Sequence, residues 1–64
     1  MTLGKFLAFY VPLYEKVTVS FGNKRVTGTR ISLGEMLHSD VFDLNVKTVE
    51  SMRDDGLWLE VEKP

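Results

Sequence analysis

Cysteine is absent from the 64 residues. That excludes a disulfide framework, a thiolate zinc site and thiol catalysis. Long apolar runs are absent too: the longest, Phe6 to Leu13, is too short to span a bilayer. The N-terminus lacks the basic, then apolar, then small pattern of a signal peptide. Those absences predict no membrane partner. Charge of one sign is not in excess, the net being −1, which argues against a dedicated nucleic-acid binder. There is no GxGxxG and no phosphate-binding loop. Neither a linker nor a low-complexity stretch interrupts the chain, so residues 1–64 read as one domain. A chain this short buries only about 60% of the surface its unfolded form exposes, so its stability is marginal unless something helps.

What is present organises into short elements. Leu3, Phe6, Leu7 and Tyr10 fall at i, i+3, i+4 and i+7, one face of a helix that Thr2 can cap. Pro12 should end it near Tyr10. Val17, Val19 and Phe21 then alternate with Lys16, Thr18 and Ser20, the pattern of a strand with one buried face. Gly22-Asn23-Lys24 supplies a turn, and Arg25 to Ile31 reads as the returning strand. Gly28 within it predicts a bulge or a close approach by another element. Ser32-Leu33-Gly34-Glu35 fits a capping box opening a second helix that ends near Ser39. Val41 to Leu44 reads as an ordered loop with Phe42 inward. Asn45 to Met52 is a third strand, Arg53-Asp54-Asp55-Gly56 a hairpin turn, and Leu57, Leu59 and Val61 the buried face of a fourth strand.

The order helix, hairpin, helix, hairpin defines an α+β class: an antiparallel sheet of about four strands with helices on one face. The predicted core is Leu3, Phe6, Leu7, Tyr10, Val17, Val19, Val26, Leu33, Met36, Leu37, Val49, Leu57, Leu59 and Val61. An offset of 30 aligns Thr2–Leu7 with Ser32–Leu37, and also Val11 with Val41, Thr18 with Thr48 and Val19 with Val49. This is either a helix-hairpin repeat or two capped helix starts that look alike by chemistry.

Charge divides along the chain. Residues 1–30 carry five basic residues against Glu15, a net of +4; residues 31–64 carry three basic and eight acidic residues, a net of −5. Such a split steers association between complementary surfaces, or it is simply two solvated faces.

Few residues suggest chemistry. The single histidine, His38, precedes Asp40 and Asp43 at a spacing that matches no metal motif; a helix end explains it. Asp54 and Asp55 are explained by a hairpin turn. No Ser or Thr is singled out beside a base. The sequence therefore predicts no catalytic residue, no metal site and no cofactor. Lys24, Arg25 and Arg30 flank the first hairpin and are the candidate phosphate contacts, although no exposed aromatic series accompanies them. Trp58 alternates with Leu57 and Leu59, so it points away from the core. As tryptophan is enriched at interface hot spots, Trp58 is the candidate protein-interface residue, with Tyr14 joining it.

The run of helix, Pro12, strand, turn and strand to Gly28 is followed by Ser-Leu-x-Glu-x-Leu-x-Ser at Ser32–Ser39 and Asp-Asp-Gly-Leu-x-Leu-Glu-Val at Asp54–Val61. From about Tyr14 to Glu62 this resembles small uncharacterised proteins encoded by phages and prophages of Gram-positive bacteria. The resemblance implies an accessory protein of the host cytoplasm that acts by binding, and assigns no activity to any residue. The leading expectation is a non-catalytic protein-binding module that forms a homodimer. The alternatives are a nucleic-acid-associated regulator using Lys24, Arg25 and Arg30, or an acidic mimic that occupies a basic site on a host protein.

Overall fold

A threonine hydroxyl opens each of the two α-helices. In the computed structural model, which describes residues 1–63, Thr2 Oγ1 accepts the Lys5 N–H at 3.3 Å and starts α1, Leu3–Tyr10. Helix α1 ends where expected: Val11 is already extended, and Pro12 follows.

The first hairpin joins β1 (Val17–Phe21) to β2 (Lys24–Gly28) in antiparallel register. Gly22 takes a φ of 59° in its turn, a conformation glycine adopts without steric cost. Strand β2 stops at Gly28, short of the expected Ile31, because Thr29 captures the next turn. Its Oγ1 accepts the Ser32 N–H at 3.4 Å, so α2 runs Arg30–Met36 with Thr29 as its cap. The expected capping box at Ser32 is thus displaced by three residues, and Ser32 lies inside the helix. Gly28 is where α2 comes closest to β2. A Cβ there would meet Ser32 Cβ and Met36 Cε at 3.0 Å, the close approach the sequence predicts.

After Leu37, a 3-10 helix spans Ser39–Asp43, and Phe42 from it packs against the core. Strand β3 (Asn45–Met52) and strand β4 (Gly56–Glu62) form the second hairpin. Met52 opposes Gly56, so the turn is the three-residue loop Arg53-Asp54-Asp55, followed by Gly56 at φ 75°. Glycine in that left-handed position is what a three-residue hairpin loop calls for.

The architecture is α+β with a four-stranded sheet of order β2-β1-β4-β3. The expectation of a purely antiparallel sheet is corrected: β1 and β4 pair in parallel, Val17 with Leu57 through Ser20 with Glu60, and the sheet is mixed. Burial decides the order. Strands β1 and β4 carry Val17, Val19, Leu59 and Val61, all buried, and take the centre. Strands β2 and β3 bring Lys24, Arg25, Lys47 and Glu50, and take the edges. Because each hairpin contributes its more apolar strand, the first strand of one meets the second strand of the other, and those two run the same way. The N-terminus closes onto β3 through Leu3 N–H to Leu44 O at 2.8 Å and Val46 N–H to Met1 O at 2.9 Å.

One cluster forms the core: Leu3, Leu7, Val11, Val17, Val19, Leu33, Leu37, Leu59 and Val61. Phe6, Val26 and Leu57 pack on it, partly buried. Three expected core residues lie outside. Tyr10 is exposed because the buried stripe of α1 runs Leu3–Leu7–Val11, and the extended Val11 takes the place Tyr10 was expected to fill. Met36 is 54% exposed, with only its terminal methyl reaching Gly28. Val49 shares a face with its partner Leu59 but is 47% exposed, being on the edge strand.

The offset-30 similarity survives in burial: Leu3 and Leu33 are fully enclosed, and Leu7 and Leu37 are buried. It fails in local structure. Thr2 caps α1 while Ser32 sits within α2, and β1 is central where β3 is an edge.

Candidate functional site

Strand alternation and register set out the face of the sheet opposite the core. One row across it reads Thr27, Thr18, Trp58, Glu50; the next reads Arg25, Ser20, Glu60, Thr48. Trp58 therefore points away from Leu57 and Leu59, as its position in the alternation requires. It is half-buried, because the Arg25 guanidinium lies 4.7 Å from its ring centroid. A stacked cation of this kind contributes about 0.5–1 kcal/mol at an exposed site. The Trp58 Nε1 is enclosed and has no hydrogen-bond partner. In the same row the Thr18 and Thr27 hydroxyls pair at 2.8 Å. A shallow groove of about 270 Å3 runs past Ser20, Arg25, Glu50, Trp58 and Glu60. It holds charges of both signs and no nucleophile paired with a base. Lys47 Nζ reaches Glu60 Oε1 at 3.4 Å on the same side.

Tyr14 is 84% exposed and is not among the side chains lining the Trp58 groove. It belongs to a second surface, the corner between α1 and β1. There the Glu15 N–H donates to Pro12 O at 3.1 Å and closes a turn with Leu13 and Tyr14 at its tip. Phe9 is 74% exposed, Tyr10 63% and Leu13 40%. With Ala8 and Pro12, also exposed, they make a nearly unbroken apolar segment from Ala8 to Tyr14, interrupted only by buried Val11. The Tyr10 ring leans on Phe6, centroids 5.4 Å apart and tilted by 42°. Arg30 Nη1 donates to Val11 O at 3.2 Å and ties α2 to the corner.

Phe9, Tyr10 and Leu13 escape the sequence reading. A helical stripe drawn through Leu3, Phe6, Leu7 and Tyr10 draws Tyr10 inward. The signal that marks the corner is Phe9: an aromatic residue off the apolar stripe of an amphipathic helix has no core to enter.

The candidate phosphate contacts assemble only in part: Lys24 and Arg25 both border a recess at the β1–β2 turn, while Arg30 lies apart on α2. Adjacent residues of a strand face opposite ways. Arg25 accordingly lies over Trp58, while Lys24 pairs with Phe21 and lines an open recess beside Leu44 and Val61. Arg30 is spent on Val11 O in another element. The carboxylates are dispersed as well: Glu35 on α2, Asp40 and Asp43 in the 3-10 helix, Asp54 and Asp55 in the β3–β4 turn, Glu50 and Glu60 on the sheet. Asp55 pairs with Lys16 at 3.4 Å. His38 caps the 3-10 helix, its Nδ1 accepting the Asp40 N–H at 3.2 Å. Among the described residues no group of three or more candidate ligands surrounds a metal position. No helix among them is long and apolar enough to cross a membrane.

Compared with protein-family models, curated proteins and solved structures, the chain matches none. What its fold defines is an α+β chain built on a mixed four-stranded sheet.

Proposed function

We propose that this chain is a protein-binding module without a catalytic step of its own, and that the α1–β1 corner is its docking surface. The observation that carries this reading is the exposure of Phe9, Tyr10 and Tyr14 together on one short segment. Single exposed apolar residues need no explanation, whereas a contiguous patch marks an interaction site. Phenylalanine and tyrosine are also enriched at protein interfaces. Trp58, beside Thr18 and covered by Arg25, is not its anchor in this reading. Both helices lie on one face of the sheet in this reading, since Leu3, Leu7, Leu33 and Leu37 enter one cluster with Val17 and Leu59. The setting that accompanies it is a phage-encoded accessory protein in a bacterial cytoplasm.

The engagement of Arg25 with the Trp58 ring and of Arg30 with Val11 O weighs against the nucleic-acid alternative, which needs a ribbon of free cations. The dispersal of the carboxylates weighs against the acidic mimic.

The reading is tested by placing a photo-reactive phenylalanine analogue at Tyr14 or, as a control, at Asn23 in the exposed β1–β2 turn, within cells. Protein adducts at Tyr14 and not at Asn23 are expected. Equal adducts at both positions, or none at Tyr14, reject the corner as the docking surface.

A further inference from the structure

We infer that the α1–β1 corner docks on the same corner of a second copy of this chain, the two related by a two-fold axis that crosses α1. This rests on the reading of the corner as a docking surface and names its occupant.

Area supports it first. Phe9, Tyr10 and Tyr14, at the exposures above, present roughly 450 Å2 if each side chain offers about 200 Å2. Homodimer interfaces are about 65% apolar, so this much apolar surface corresponds to about 700 Å2 per copy. Leu13 and Pro12, in the turn that follows α1, add toward the roughly 800 Å2 per partner of a standard interface.

Charge gives the orientation. Lys5 precedes Phe9 by one helical turn, on the same side of α1. Glu15 closes the turn at the other end of the patch. Neither forms an ion pair with another described residue; the ion pairs among the described residues are Lys16 with Asp55 and Lys47 with Glu60. A patch with a free cation at one end and a free carboxylate at the other is complementary to itself when reversed. An isologous two-fold contact reverses it, setting each Lys5 against Glu15 of the second copy.

The other route to self-association is guarded. Strand β2 is only five residues long and carries Lys24 and Arg25. Strand β3 has Lys47 at a register shift between Val46 and Thr48. Lysine, bulges and short strands are the devices that discourage edge-to-edge pairing.

Sedimentation of the full chain, with Trp58 emission and circular dichroism confirming the fold, tests the assignment. Wild type should pass from monomer to dimer at roughly micromolar concentration. Lys5→Glu or Glu15→Lys alone should weaken the dimer about tenfold, and the double exchange should restore it to within about threefold. Phe9→Ala should weaken it about 30-fold. A wild type that stays monomeric to about 1 mM, the edge of measurable affinity, overturns the assignment. So does a dimer that Phe9→Ala leaves intact, or a double exchange that restores nothing. A monomer that still gives Tyr14 adducts with a different protein rejects the second copy and keeps the docking surface. A monomer with no Tyr14 adducts rejects both.

Discussion

Gly56 lies against the carbonyl oxygen of Lys16, so close that a Cβ on Gly56 would overlap it. Beside this contact the Leu57 N–H donates to the same oxygen at 3.1 Å. The two hairpins of the chain therefore meet where the parallel pairing of β1 with β4 begins, and glycine at position 56 permits it.

Gly56→Ala faces two penalties, a positive φ and the Lys16 carbonyl. It should remove about 3 kcal/mol or more. For a chain whose stability is of order 3–10 kcal/mol, that leaves much of the protein unfolded. Gly22→Ala shares the positive φ but meets nothing within 4 Å, so it should cost only about 1–2 kcal/mol. Urea unfolding followed by Trp58 emission compares them; equal midpoints would show that the Lys16 contact adds nothing.

The cap of α2 is tested by Thr29→Ala and Ser32→Ala. Loss of the Thr29 hydroxyl, which accepts the Ser32 N–H, should cost about 1 kcal/mol. Removing the Ser32 hydroxyl should cost about 0.5 kcal/mol or less. The reverse order in denaturation midpoints would restore Ser32 as the cap.

Leu59 and Val49 face each other across β3 and β4 on the same side of the sheet. Their burial differs sharply, since Leu59 is enclosed and Val49 is half open. Leu59→Ala should cost about 2–5 kcal/mol, and Val49→Ala about 0.5 kcal/mol. A large loss at Val49 would mean that the β3 edge is covered in solution.

Much of the fold is legible in the residues because its causes are local. Thr2 and Pro12 bound α1, the alternation of Val17, Val19 and Phe21 defines β1, and glycines at 22 and 56 mark both hairpin turns. Errors arise where two local signals compete. Ser32-x-x-Glu35 and Thr29-x-x-Ser32 both offer a capping hydroxyl, and the three-residue difference sets where β2 ends. Tyr10 fits the helical stripe as well as Val11 does. Only the extended backbone at Val11, anchored by Arg30, turns that side chain inward.

The candidate site divides in the same way. That Trp58 points away from the core follows from alternation with Leu57 and Leu59. That Arg25 covers it depends on two strand pairings, the local one of β2 with β1 and the long-range one of β1 with β4, which joins residues 40 apart, Val17 with Leu57. Cysteine's absence, the balanced charge and the small size also hold from sequence alone. They leave packing as the source of stability. Which apolar residues are left outside the core was a tertiary decision. A chain of 64 residues has room for one apolar cluster, and once Leu3, Leu7 and Val11 fill the α1 side of it, Phe9, Tyr10 and Tyr14 remain in water. Sheet order was decided the same way: the more apolar strand of each hairpin takes the centre, and β1 and β4 come together in parallel.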